Sequence, residues 1–134
     1  MTIRRITPNE AKTLIDGEGY VYLDVRSVPE FDGGHPEGAY NVPFANATPS
    51  GMQPNARFVE VVTKHFAKDA KLVVGCQAGG RSAKAAALLE QAGFTEVADQ
   101  LAGFGGGGGS PGWKAAGLPV ATKAISGRSY VELE

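Results

Sequence analysis

The sequence predicts an α/β domain built on a mainly parallel sheet, and three observations predict it. Short apolar runs rich in β-branched and aromatic residues alternate with segments of helical spacing. Glycines and prolines mark most of the junctions between them. The chain has 134 residues, enough for one ordinary core and too few for two, so a single domain over 1–134 is expected.

Taken in order, Thr7-Pro8-Asn9-Glu10 reads as a capping box, with Thr7 as N-cap, Pro8 at the first helical position and Glu10 reaching back. The helix it opens is expected to run to about Asp16 and to end at Gly17 and Gly19. Tyr20 to Val25 is a nearly continuous apolar run, as expected for a strand covered on both faces, and Asp24 inside it needs a polar partner. Ser27-Val28-Pro29-Glu30-Phe31 predicts a short helix capped by Ser27 and stopped by Gly33-Gly34, and Ala39 to Val42 a short strand. Phe44 to Pro54 is turn-rich and polar and reads as a loop. Asn55 to Phe66 places Phe58, Val62, His65 and Phe66 on one helical face. A strand over Lys71 to Gly75 then leads into a helix from about Arg81 to Ala92, closed by Gly93. Thr95-Glu96-Val97 reads as a last short strand. Gly105 to Gly109 with Ser110-Pro111 is low-complexity sequence, expected to form a surface loop within the domain. It lacks the Lys-Ser/Thr of a phosphate-binding loop.

Composition excludes several classes of function. With 43% apolar residues and a net charge of −1 the chain should fold, and general nucleic-acid binding is not expected. No run of about 18 apolar residues is present, so no membrane partner is expected. The first residues lack the apolar stretch of a secretory signal, from which a cytoplasmic location is expected. One cysteine allows no internal disulfide, no CxxC pair and no cysteine zinc cluster.

That cysteine, Cys76, heads the stretch Gln77-Ala78-Gly79-Gly80-Arg81-Ser82. A strand entering a small-residue loop and then a helix leaves backbone N–H groups free, with the helix dipole adding positive potential. Surroundings of this kind favour the thiolate form of a cysteine. The alternative is a buried structural cysteine at a strand end. Two glycines and an arginine within five residues favour the anion cradle. In parallel sheets ligands sit beyond the carboxyl ends of the strands, where Cys76 is expected to lie.

Three features combine here: the cysteine loop ending in Arg81, the strand ending Asp24-Val25-Arg26, and the stretch Glu30-Phe31-Asp32-Gly33-Gly34-His35-Pro36-Glu37-Gly38-Ala39-Tyr40-Asn41-Val42-Pro43. Together they resemble the rhodanese family of sulfurtransferases, in its small single-domain type. Gly93-Phe94, Gly103, and Trp113 with Gly117-Leu118-Pro119 are similar to the family's closing signature. The resemblance covers about 6–119 and leaves 120–134 as a C-terminal extension. It implies a three-layer domain with a central sheet of about five strands and helices on both faces. One departure stands out: relatives pass from Gly-Gly-aromatic directly into a tryptophan-bearing helix, whereas Phe104 to Gly112 intervenes here.

The resemblance implies a ping-pong reaction in which the Cys76 thiolate takes a sulfane sulfur from thiosulfate or a related donor and passes the persulfide sulfur to cyanide or a thiol. The anion cradle would be the N–H groups of Gln77, Ala78, Gly79, Gly80, Arg81 and Ser82, with Arg81 adding positive charge. No cofactor and no metal are implied. The expected partners are small sulfur donors and thiol acceptors, and possible further acceptors include a protein. A non-catalytic or sulfur-carrying module remains an alternative, as does a cysteine-dependent phosphatase or arsenate reductase. Phosphatases of that type place five residues between cysteine and arginine. Here there are four, Ser82 stands at the phosphatase arginine position, and Gly75 rather than a histidine precedes the cysteine.

Asp24 and Arg26 are second-tier site residues, with a structural ion pair as their simpler role. His35 in its Gly-His-Pro turn is expected to fix the loop by hydrogen bonds, and His65 lacks the partners a metal would need. Phe104 and Trp113 are candidates for an apolar rim or for edge packing. Met52 is left between the same two roles.

Overall fold

The structure is a computed structural model that describes residues 3–107 and 109–134. Along the chain the elements are β1 (Arg4–Ile6), α1 (Pro8–Glu18), β2 (Val21–Asp24), α2 (Val28–Asp32), β3 (His35–Pro36), β4 (Tyr40–Asn41) and β5 (Ala45–Thr48). They continue with β6 (Gly51–Pro54), α3 (Phe58–His65), β7 (Leu72–Gly75), α4 (Gly80–Gln91), β8 (Val97–Gln100), β9 (Val120–Ala121) and α5 (Tyr130–Leu133). Five of the strands form the central sheet in the order β1-β8-β7-β2-β4, with every neighbouring pair parallel. The α/β class and the parallel sheet are as expected.

Alternation along the strands divides the core into two layers. Leu23, Leu72 and Val74 pack toward α3 and α4, against Phe58, Val61, Val62, Ala85, Ala86 and Leu89. Tyr22, Val73 and Ala98 face the other way, against Ala11, Leu14, Phe31 and Trp113. All four residues of β7 are buried, as befits the middle strand of a sheet covered on both sides. Cys76 follows directly and so emerges at the carboxyl end of that strand.

The capping boxes explain two of the helix starts. Glu10 N donates to Thr7 Oγ1 at 3.2 Å and Thr7 N donates to Glu10 Oε1 at 2.9 Å. At α2, Ser27 N and Ser27 Oγ both donate to Glu30 Oε1, at 3.1 and 2.8 Å. Helix α1 runs two residues past the expected end, because Gly17 is carried inside it and Gly19, in the left-handed region at φ 75°, makes the stop.

Three expectations need correction. Phe44 to Pro54 is not a loop: β5 and β6 pair antiparallel, and the turn between them is tied by Thr48 Oγ1 donating to Gly51 O at 2.7 Å. Helix α3 begins at Phe58 rather than Asn55, because the Asn55 side chain is spent outside the helix, accepting from Arg57 N and donating to Pro43 O. The strand placed at Thr95 to Val97 lies at Val97–Gln100, since Thr95 N instead bonds Lys68 O at 3.0 Å. The C-terminal extension is integrated with the rest: β9 pairs with β3, Asn41 N donates to Arg128 O, and Leu133 is buried in the α3–α4 layer.

Gly75 shows why no side chain precedes the cysteine. A Cβ built there would stand 1.8 Å from the Tyr22 hydroxyl oxygen and 2.5 Å from the ring carbon bearing it. Tyr22 is itself held by a T-shaped contact with Trp113 and by Gln100 Nε2 donating to its hydroxyl at 3.3 Å. Gly75→Ala is therefore expected to lower stability in urea by about 3 kcal/mol, and Tyr22→Phe in the same chain to recover part of that loss.

Candidate active site

Cys76 is 2% exposed, and its sulfur has two polar neighbours. Gly79 N donates to Sγ at 3.1 Å, and Sγ donates to Ser82 Oγ at 3.6 Å. Gly79 stands at φ 101°, the left-handed conformation that turns its N–H back onto the sulfur and starts α4. Ser82 Oγ in turn donates to Asp99 Oδ1 at 2.6 Å, and Arg5 Nε donates to Asp99 Oδ2 at 3.1 Å.

The loop keeps its shape through main-chain contact with the segment after β8. Phe104 N donates to Cys76 O at 2.7 Å and Gly105 N donates to Gln77 O at 2.9 Å. In a trans peptide the C=O and the following N–H point in opposite directions. Capture of the Cys76 and Gln77 carbonyls therefore turns the Gln77 and Ala78 N–H groups away from the seam. Among the described residues, the N–H groups of Gln77, Ala78, Gly80, Arg81 and Ser82 have no hydrogen-bond partner. A loop ringed by unspent donors at the start of a twelve-residue helix is suited to an anion.

The glycine-rich segment is a surface loop, as expected, with Gly105 and Gly109 exposed, and one side of it is packed onto the cysteine loop. A Cβ at Gly103 would lie 2.5 Å from the Gln77 carbonyl carbon, and one at Gly107 2.2 Å from Ala78 O. These glycines let two backbones touch. Gly108, within the same run, lies outside the described residues. The approach is organised by Gln100, which is fully buried: its Oε1 accepts from Ala102 N at 2.8 Å and Gly103 N at 2.9 Å, and its Nε2 donates to Gly103 O at 2.9 Å. Gln100, Asp99 and the glycines were missed as site residues; the only signal available was a polar pair within the apolar pattern around Val97 and Ala98.

Arg26 and Asp24 form a buried, bidentate pair, 3% and 1% exposed, with Nη2 and Nε of the arginine each within 3.1 Å of the carboxylate. Burial pushes the Asp24 carboxyl up, and Arg26 limits the rise. Arg26 also donates to Gly34 O at 2.6 Å and Gln77 Oε1 at 3.2 Å, and its guanidinium lies 4.5 Å from the Phe104 ring centre. Arg26, Gln77 and Phe104 line one open cleft with Pro29, Glu30 and Gly34. Trp113 does not reach it; Trp113 is 2% exposed and its Nε1 donates to Pro119 O at 2.7 Å. Met52 lines a neighbouring groove with Phe44, Ala45, Pro54, Arg81 and Lys84. His35 stacks on Phe31 at 3.8 Å and bonds Phe31 O, away from the sulfur, and His65 meets the Leu133 carbonyl. Among the described residues no three His, Cys, Asp or Glu side chains gather into a metal-sized cluster.

Arg81 departs from expectation in one respect. Its guanidinium is not a free charge over the loop: Nη1 and Nη2 donate to Glu30 Oε1 and Oε2 at 2.7 and 3.0 Å. This fork, with help from Ser27, brings the Glu30 carboxyl down to about 2.

Residues 7–106 match the family described as Rhodanese-like domain. The chain belongs to the rhodanese family. Among its relatives, thiosulfate sulfurtransferase 16, chloroplastic, of Arabidopsis thaliana is 47% identical over 102 residues, covering 76% of this chain and 80% of that one. Thiosulfate sulfurtransferase 18 of the same plant is 38% identical and covers 86% of this chain and 81% of its own. Other rhodanese relatives are longer: the chain spans 47% of the senescence-associated protein DIN1 of Raphanus sativus, at 44% identity and 64% of this chain. The crystal structure of Rv0390 from M. tuberculosis superposes with a TM-score of 0.77 at 27% identity, covering 92% of this chain and all of that one. The three-layer rhodanese fold with five parallel strands is thus shown.

The cytoplasmic expectation is overturned by the names of relatives in this family, several of which are called chloroplastic, thiosulfate sulfurtransferase 16 among them, and another mitochondrial. Its basis was the lack of an apolar secretory segment, and leaders that direct chains to organelles are amphipathic rather than apolar.

The Glu30 carboxyl sits below its ordinary value of 4.5, so the Arg81 pair stabilises the fold fully above that pH and loses its contribution as pH falls through about 2. The unfolding free energies of wild type and Glu30→Gln are expected to differ by a constant amount near neutral pH and to converge below about pH 2.

Proposed function

We propose that this rhodanese transfers a sulfane sulfur through a persulfide on Cys76. The observation that carries the reading is a sole cysteine whose sulfur accepts a backbone N–H from Gly79 at the head of a loop of unspent donors. In the first half-reaction the Cys76 thiolate forms a bond to the outer sulfur of thiosulfate, and the donor's S–S bond breaks with its electron pair leaving on sulfite. In the second, cyanide or a thiolate takes the outer sulfur and the electron pair returns to Cys76. Charge moves from Sγ to the outer sulfur during loading, and the unspent N–H groups of Gln77, Ala78, Gly80, Arg81 and Ser82 would receive it.

Arg81 would act by exchanging one arm of its Glu30 fork for an anionic donor, and Arg26, held by Asp24, would keep Gln77 and Phe104 at the cleft. Small donors and acceptors are the partners proposed, with an acceptor protein as an extension of the same chemistry. The names of two relatives as thiosulfate sulfurtransferases support this reading. Another relative, 38% identical, is named protein HIGH ARSENIC CONTENT 1, which makes arsenate the competing substrate to include.

Incubation with thiosulfate is expected to add one sulfur atom to the intact chain, and cyanide to remove it as thiocyanate. Cys76→Ser should do neither, and turnover of arsenate or an aryl phosphate with no sulfur ever added would sink the proposal. Arg81→Ala is expected to raise KM for thiosulfate about tenfold, the equivalent of one charge-assisted hydrogen bond, as measured by thiocyanate production.

A further inference from the structure

We propose that Asp99 is a positioning residue for the sulfur: it holds the Ser82 hydroxyl proton away from Cys76, so that the serine oxygen faces Sγ as an acceptor. The geometry stands alone, and its consequence for sulfur transfer rests on the function proposed above. Asp99 is 1% exposed and Ser82 fully buried. Ser82 Oγ has one proton to give and two acceptors in reach, Asp99 Oδ1 at 2.6 Å and Gly79 O at 3.2 Å. The shorter contact, to a carboxylate, takes it. Sγ at 3.6 Å then meets a lone pair and donates its own S–H. The carboxylate cannot turn away, because Arg5 Nε holds its other oxygen at 3.1 Å.

This arrangement treats the two sulfur anions differently. A thiolate carries its charge on Sγ, against the Ser82 lone pair. A persulfide carries it on the outer sulfur, one bond further off, and leaves Sγ neutral. The Asp99–Ser82 pair therefore opposes the free thiolate more than the loaded form, and it biases the protein toward holding sulfur. No proton moves during loading itself; the thiol proton leaves to water beforehand. The other charged or titratable groups around the sulfur are Arg81 with Glu30, Arg26 with Asp24, and Tyr22. Each belongs to another part of the site and is unchanged in the variants below.

Asp99→Asn tests the assignment. Arg5 Nε is a donor and keeps the amide oxygen on its side, so the amide nitrogen turns to Ser82 and the serine proton is freed from the carboxylate. Of its two remaining acceptors, Gly79 O and Sγ, the charged thiolate draws it once Cys76 is ionised. The thiolate absorbance at pH 7, taken as the difference from Cys76→Ala in the same background, is expected to rise roughly fivefold, the worth of one hydrogen bond. Alkylation by iodoacetamide should quicken in parallel. In a Ser82→Ala background the same substitution should change neither. A thiolate signal that stays level or falls in Asp99→Asn overturns the proposal, as does an equal rise without Ser82, which would reflect loss of a nearby negative charge alone. If Asp99→Asn does not fold, Ser82→Ala carries the test: its thiolate signal should exceed that of wild type, and a signal at or below wild type overturns the assignment. These readouts use no sulfur donor, so failure of the sulfurtransferase reading would register separately, as thiosulfate leaving the mass of Cys76 unchanged.

Discussion

The seam between the cysteine loop and the segment after β8 is the contact on which the rest of the site depends. Two main-chain hydrogen bonds, to Cys76 O and Gln77 O, fix which way the peptide planes of the loop face. With those two carbonyls committed on one side, the N–H groups of Gln77 and Ala78 are committed to the other, and this part of the loop's electrostatic character follows without any charged side chain. Gln100 makes this possible from below by bonding both ends of the turn that carries the partner segment. Gly103 and Gly107 make it possible sterically, since a methyl group at either would separate the two backbones.

Formal charge around the loop is matched almost one for one. Asp24 neutralises Arg26 in the interior, and Glu30 neutralises Arg81 nearer the surface. The buried pair contributes less through its own attraction than through what it joins, because desolvation offsets much of the Coulomb gain. Arg26 ties the end of β2 to Gly34, to Gln77 and to the Phe104 ring. Two neighbouring segments and two distant ones are thereby held at one mouth. Helix α2 serves the same end: the Glu30 that closes its first turn onto Ser27 is also the carboxylate that orients Arg81.

Much of this was legible from residue types. The Thr7 box, the Asp24–Arg26 pairing, the loop-fixing His35 and the position of Cys76 at a strand end all follow from local rules, and the local rules agree with the fold. What could not be read is what depends on contacts distant in sequence. The hairpin of β5 and β6 has one Thr among Ala, Asn, Gly, Met, Gln and Pro, with Ala, Asn, Gly and Pro depleted in strands, and pairing overrides that composition. The end of β8 was misplaced because Asp99 and Gln100 interrupt its apolar pattern, for reasons visible only once Ser82 and Gly103 are seen beside them. The run from Gly105 to Gly109 has the composition of a linker, and nothing in composition distinguishes freedom to move from freedom to approach.

That last distinction bears on how the protein tolerates change. The cysteine loop presents main-chain donors, so the Ala78 methyl contributes little that a different small side chain would not, and a Cβ at Gly80 would stand in open space. Added side chains are sterically excluded instead some twenty-five residues downstream, at Gly103 and Gly107, in a stretch whose repetitiveness makes it look dispensable. A substitution arising there would displace the cysteine loop while leaving every residue of that loop unchanged, and a survey confined to the motif would record it as intact.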